Sequence, residues 1–432
     1  MRTALCSTFV VFVLAYTTTR VIANVNPLSD ETIKRINSVQ KTWTAGRNFP
    51  AQTSMTYINN LAGTLYDDTL QDLQILKHHI DEIDQLPGSF DPRDRWTKCK
   101  SLNEIRDQGA CASCWALAAV AAMTDRYCIF AEEKKQFHFS AEDLISCCET
   151  CGLGCVKGLH IAAWIYWTKL GLVSGGNYNS SEGCKPYNIP PGENYVTEEL
   201  SPLGQIVDIS SCMTFCDPSY NVVYRDDKRY GDRVYLIERS EIQIKLELFH
   251  NGPVEGVMEV YTDFLNYKHG VYNHTEGQSI GHHGVKIMGW GEEHGNKYWL
   301  VANSWGKDWG DDGFFKILRG VNHCGIEGCA MLYCCGCVWL PPSIFIGTHS
   351  LALVESESGK LCFYMKRCVL WMYAMDAAML PFYGYIVYSS CVSSLLLAQL
   401  LISSMVSWIW WFCLFREIKA GNKSKIRVSF HQ

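Results

Sequence analysis

Ile33, Ile36, Val39 and Trp43 recur at helical spacing on an otherwise charged stretch, and Leu70, Leu73, Leu76, Ile80 and Ile83 do so again further on. Both runs predict amphipathic helices ahead of the main body. From Cys114 to Phe130 the pattern predicts another helix, with Val120, Met123 and Tyr127 on one face. The period then changes. "HGVKIMGWG", "KYWLVANSW" and "GFFKILRG" are apolar, strand-like runs punctuated by glycine. Helices first and strands later predict an α+β body of about 250 residues in two lobes.

The two ends differ from this body. Arg2 followed by "ALCSTFVVFVLAY", and "VIA" ending at Ala23, have the form of a secretory signal peptide over residues 1–23. Export permits disulfides and accounts for 21 cysteines. None of them lies between residues 24 and 98, so residues 24–85 are expected to be a pro-segment ahead of a disulfide-rich domain at 86–332. Asn179 and Asn273 begin glycosylation triplets. Residues 333–432 form an atypical cysteine-rich tail in which Ala377 to Phe415 holds no Asp, Glu, Lys, Arg or His. Its densest part, 394–415, is long enough for a transmembrane helix. Trp408, Trp410 and Trp411 close that part, and Arg416, Lys419, Lys423, Lys425 and Arg427 follow, as at a cytoplasmic membrane boundary. A net charge of −6 gives no electrostatic footprint for nucleic acid.

The candidate chemistry lies in "QGACASCWAL", residues 108–117. Cys111 and Cys114 could be half a zinc site, with Cys148 and Cys151 as the second pair, but an oxidising route disfavours thiolate zinc. A thioredoxin-like redox pair needs a preceding buried strand, and "NEIRDQGA" does not read as one. A nucleophilic cysteine at a helix N-terminus needs a base and a group to orient it. His283 in "GHHGVKIMGWG" and Asn303 in "YWLVANSWG" are of the required types.

With these, "TWTAGRNF", "LPGSFDPRDRW", "IRDQGACASCWA", "SAEDLISCC", "GLVSGGNYNSSEGCKPYNIPP", "NGPVEG", "WGDDGFFKILRG" and "HCGIE" occur in order between Thr42 and Gly328. The chain thereby resembles the papain family of cysteine peptidases, and within it cathepsin B. The resemblance implies a two-lobe fold, a helical lobe facing a β-barrel-like lobe, with a helical pro-segment that blocks the cleft as an inhibitor until removed. It implies Cys114 as nucleophile, His283 as its ion-pair partner and proton donor, and Asn303 as the group orienting the imidazole under cover of Trp305. Gln108 and the Cys114 N–H would form the oxyanion hole. Gly158 and its neighbour Lys157 would line the substrate cleft. The implied bridges are Cys99–Cys128, Cys111–Cys155, Cys147–Cys212, Cys148–Cys151 and Cys184–Cys216, with Cys324 unpaired. No metal or cofactor is implied, because thiol acyl transfer needs only the pair and the oxyanion donors. The separation of Cys114 and His283 exceeds the roughly 130–150 residues typical of papain-like chains, as an insertion of the cathepsin B kind would explain.

Several positions depart from the family. Gly192 stands where an occluding loop would begin with cysteine, and Asn194 and Tyr195 replace its histidine pair. Without those two cationic donors for a substrate carboxylate, dipeptide release is expected to be weak or absent and endopeptidase action to dominate. Ala112, Lys157 and His282 each replace a glycine usual near the cleft. Lys157 either narrows the non-primed subsites or points into solvent. His282 either competes for the proton or fills space on the leaving-group side. Cys329 takes the place of a glutamate at the base of the S2 pocket, which disfavours arginine there. The expected protein is a cysteine endopeptidase acting on peptide or protein substrates, made as a lysosomal or extracellular zymogen, with membrane anchoring through the tail. The alternative is a protease-fold binding protein whose obstructed cleft has lost turnover.

Overall fold

The computed structural model describes residues 26–65, 73–192 and 211–328. The leader, Leu70, Asn194, Tyr195, Cys329 and the apolar tail lie outside the described residues.

The pro-segment opens with α1 (Asp30–Val39), where Ser29 Oγ accepts the Thr32 N–H and two acids sit in the first turn. Ile36 is buried, but Val39 is exposed and the helix ends there. Trp43 belongs to a strand instead: β1 (Trp43–Ala45) pairs antiparallel with β7 (Tyr267–Tyr272) of the body. Then follow α2 (Met55–Asn60), β2 (Thr64–Leu65) and β3 (Ile75–Leu76). Here the second predicted helix fails. Leu73 lies in a bend, Leu76 in β3, and Ile80–Gln85 form a 3₁₀ turn. The body offers this stretch a parallel strand partner, β5 (Leu236–Ile237), and that pairing outweighs the local helical spacing.

In the body, α3 (Pro92–Arg95) is a single turn, and α4 (Cys114–Phe130) spans the predicted helix. Its Ala, Leu, Val and Met residues are buried nearly all round rather than on one face, as suits a central helix. Around it, α5 (Ala141–Cys147) and α6 (His160–Leu170) complete an apolar cluster that includes Trp115, Met123, Leu144, Trp164 and Trp167. Short elements follow: β4 (Gly158–Leu159), α7 (Tyr224–Asp227) and α8 (Glu241–Asn251).

The second lobe is a sheet. β6 (Val254–Tyr261) and β8 (Ser279–Glu293) are buried along most of their length, while β9 (Asn296–Ala302) and β10 (Phe314–Leu318) alternate more nearly, over a core of Trp290, Trp299, Phe264 and Phe315. The order is β1-β7-β10-β9-β8-β2-β4, with β6 paired to β8, so one pro-segment strand, β1, forms an end of the sheet and the other, β2, is inserted between the body strands β8 and β4. The lobes meet along α4. Lys286 on β8 donates to Asp125 at 2.6 Å, and Arg126 donates to Glu247 on α8 at 2.9 Å, both pairs buried. Disulfides join Cys99–Cys128, Cys111–Cys155, Cys147–Cys212, Cys148–Cys151 and Cys184–Cys216. With those pairs oxidised, Cys148 and Cys151 are unavailable as zinc ligands. Cys114 and Cys324 are free thiols.

Candidate active site

Cys114 is the first residue of α4 and is fully buried. Ser113 precedes it, but its hydroxyl is engaged with the Tyr187 hydroxyl at 2.9 Å and does not cap the helix. The first-turn amides therefore keep their positive potential at the sulfur. Across the interlobe cleft, β8 carries His283. Its Nε2–H donates to Asn303 Oδ1 at 2.7 Å, while that oxygen also accepts the Ser304 N–H at 2.8 Å. The double acceptance fixes the amide orientation, and with it the imidazole. Trp305 covers this pair, its ring centroid 4.8 Å from that of His283. The other imidazole nitrogen, Nδ1, is buried without a conventional hydrogen-bond partner, and the imidazole acts electrostatically on the neighbouring Cys114 sulfur.

Burial pushes the Cys114 thiol up. The charge and hydrogen bond of His283, with the Thr64 hydroxyl and the Gly284 backbone, more than offset it and bring the pKa down to about 7. Gln108 is fixed from two sides: its N–H donates to Ser304 O at 2.9 Å, and its Oε1 accepts from Ser304 Oγ at 2.9 Å. That leaves Nε2 aimed at Cys111 O, 2.9 Å away, and at the pro-segment carbonyls of Asn60 and Leu61, 3.3 and 3.4 Å away.

The pro-segment fills the cleft. Gly63 N–H points at Cys114 Sγ at 3.1 Å, and Thr64 Oγ1 lies 3.2 Å from the same sulfur. The Gly158 N–H donates to Gly63 O at 2.9 Å, and β2 pairs with β4 on one lobe and with His282 of β8 on the other. Gly63 permits this approach, and Gly158 permits the packing of Trp115 behind the strand that receives it. A Cβ on Gly63 would lie 1.9 Å from Ala112 O, and one on Gly158 would lie 2.3 Å from the Trp115 ring. The crossing backbone occupies the path that a substrate would take between Gly158 and His282.

The positions that depart from the family now have places. Ala112 is buried, donates its N–H to Cys155 O at 2.9 Å and packs beneath Gly63. Lys157 is exposed beside Gly158. His282 is half-buried opposite Glu259 on β6. Gly192 lies against the pro-segment, where a Cβ would meet Tyr57 Oη at 1.9 Å. Sequence reasoning did not single out Ser304, Thr64 or Gly63. It also passed over Glu255, a wholly buried carboxyl whose pKa burial raises well above the usual range and whose Oε2 accepts from Trp164 Nε1 at 2.6 Å. Ser304 had a signal, since it adjoins Asn303. The others act through backbone path or burial, which residue type alone does not reveal.

A free cysteine at a helix start, an imidazole held by an asparagine and a pro-segment seated on the sulfur together define a cysteine-protease zymogen. The chain belongs to the papain family of cysteine proteases: residues 86–334 match the family description "Papain family cysteine protease", and residues 28–68 match "Peptidase family C1 propeptide". Its relatives include cathepsin B-like cysteine proteinase 4 of Caenorhabditis elegans, 46% identical over 260 residues that cover 59% of this chain and 77% of the relative. A cathepsin B-like cysteine proteinase of Schistosoma japonicum is 40% identical over 320 residues, covering 73% of this chain and 93% of the relative. Among solved structures, procathepsin B S9 from Trypanosoma congolense superposes with a TM-score of 0.62 at 35% identity, covering 72% of this chain and 98% of that one. The α+β papain-like fold with its pro-segment is thereby shown.

Proposed function

We propose that this cathepsin B-like protease is an endopeptidase in which Cys114 and His283 form the working thiolate–imidazolium pair. The observation that carries the reading is the Cys114 thiol, drawn down to about 7 against full burial by an imidazole that Asn303 holds. With the pro-segment gone, the thiolate attacks the scissile carbonyl carbon. The carbonyl π pair moves onto oxygen, where Gln108 Nε2 and the Cys114 N–H stabilise it. Collapse expels the amine, which takes its proton from His283, and leaves a thioester. His283, now neutral, removes a proton from water, which attacks the thioester and releases the acid and the thiolate.

Endopeptidase action is favoured because Gly192, Asn194 and Tyr195 provide neither the cysteine nor the histidine pair that would clamp a terminal carboxylate. An internally quenched peptide with a blocked C-terminus should be cleaved well. The matching substrate with a free C-terminal dipeptide should gain no advantage, and a clear preference for it would overturn this part of the reading. The exposed side chain of Lys157 favours an open cleft over an obstructed binding protein.

The proposal places the protein in the secretory pathway, lysosomal or extracellular, with a cleaved leader at 1–23 and a pro-segment through residue 85. Asn179 and Asn273, both exposed, serve as glycosylation sites. The family match ends at residue 334, which makes the apolar tail an addition to the fold. Its anchoring role, through 394–415, is tested by the protease accessibility of an epitope placed after residue 427. Among the described residues no helix is long and apolar enough to cross a membrane.

A further inference from the structure

Away from the cleft, the pro-segment makes a second, polar attachment. β3 lies parallel to β5, with Ile75 opposite Leu236 and Leu76 opposite Ile237. The Leu236 N–H donates to Gln74 O at 2.8 Å, and the Glu238 N–H to Leu76 O at 3.2 Å. Lys77 Nζ pairs with Glu238 at 2.5 Å. The Gln243 side chain then reads the backbone of His78 on both sides: its Oε1 accepts the His78 N–H at 2.6 Å, and its Nε2 donates to His78 O at 3.1 Å. Finally His78 Nε2 meets Glu247 Oε2 at 2.7 Å.

Glu247 is fully buried, and its two oxygens are used differently. Oε1 accepts from Arg126, Asn251 and Tyr235 at 2.9, 3.0 and 3.1 Å, all within the body. The hydrogen bond to Oε2 comes from the pro-segment imidazole. Burial alone would raise this carboxyl. The Arg126 charge and the His78 hydrogen bond hold it ionised, down to about 2.

Every body group in this set lies between residues 235 and 251, or is Arg126, and so stays after a cut at residue 85. Among the described residues β5 pairs with β3 alone. Maturation therefore leaves two strand N–H donors, a side-chain amide spaced to grip the N–H and C=O of one residue, and an ionised carboxylate oxygen at the end of the slot. An unpaired strand edge recruits extended chain, and side-chain pockets along it supply specificity.

We propose that the matured protein carries an exosite along β5 and α8 that binds an extended peptide segment bearing two consecutive basic or imidazole-bearing side chains, the first facing Glu238 and the second entering the Glu247 slot. Its occupant is a segment of a protein substrate, which would hold that substrate while the cleft cuts elsewhere. The inference rests on the zymogen reading only in needing the pro-segment to be removed.

The test uses matured protein, with loss of residues up to 85 verified by mass and Cys114 blocked by an epoxysuccinyl peptide. The probe is a fluorescent peptide of residues 73–79. Saturable binding below about 1 mM is expected. His78→Ala in the peptide should weaken it at least tenfold, on the scale of a lost hydrogen bond to a charged group, and Gln243→Ala in the protein should do likewise through the loss of two neutral hydrogen bonds to the peptide backbone. No saturable binding in that range overturns the exosite, as does equal binding of the His78→Ala peptide. If the peptide binds only when Cys114 is unblocked, it occupies the cleft and the exosite is again refuted. Failure of Cys114 to take the epoxysuccinyl group would count against the catalytic reading and leave the binding result to be read by itself.

Discussion

Burial of Cys114 works against ionisation and His283 works for it, and the pro-segment adds to the burial by laying Gly63 and Thr64 on the sulfur. Since burial is the largest influence on this thiol, removing the pro-segment should lower its pKa below the zymogen's value of about 7, even with the Gly63 and Thr64 hydrogen bonds lost. Thiolate absorbance followed against pH in the intact and matured forms checks this, and a transition that moves upward would contradict it. Gln108 is positioned by Ser304, and the Nε2 direction that meets the pro-segment carbonyls of Asn60 and Leu61 is released toward the cleft when the pro-segment leaves. Gln108→Ala should therefore cut kcat by about 10²–10³ with little change in KM, as for loss of one oxyanion donor. Steady-state kinetics on the matured variant decides it. At this scale much was legible. Cys114, His283, Asn303 and Gln108 each sat in a distinctive block, and the structure brings all four to one cleft. Thr64 and Gly63 were not legible, because their contact with the sulfur comes from the path of the chain and not from any special reactivity.

At the scale of elements, the inhibitory segment works by fit. Between Ala112 and Gly158 there is room for a backbone but not for a side chain at residue 63. Gly63→Val should lift the strand from the sulfur, so the uncleaved zymogen becomes reactive to peptide probes and processes itself sooner. Probe labelling of the full-length variant, compared with the unchanged zymogen, measures this; equal protection in both would refute the steric account. The long α4 and the strands β8, β9 and β10 were readable because each is a sustained, mostly apolar run of the right length that ends in the core. The stretch from Leu70 to Ile83 misled because apolar residues three or four apart also suit a short strand running into a 3₁₀ turn. Its partner, β5, lies far along the chain, and nothing local announces it. Val39 and Trp43 failed for a related reason: β7 captures Trp43 as a strand residue and leaves Val39 in solvent.

Over the whole molecule, charge is placed where the lobes join. Lys286–Asp125 and Arg126–Glu247 are buried ion pairs tying α4 to β8 and α8, and composition gave no hint of them. The two-lobe α+β plan was legible from the order of helices and strands, whereas the embedding of pro-segment strands in the body's sheet was not. That embedding makes access to Cys114 a property of the whole chain, and one measurement tests it. Full-length zymogen and matured protein are each treated at about pH 5.5 with an epoxysuccinyl peptide, and the adduct is located by peptide mass mapping. The account predicts labelling at Cys114 in the matured form alone, lost in Cys114→Ala. A folded matured sample that stays unlabelled, while a small alkylating agent also fails at Cys114, would contradict the assigned thiolate–imidazolium pair.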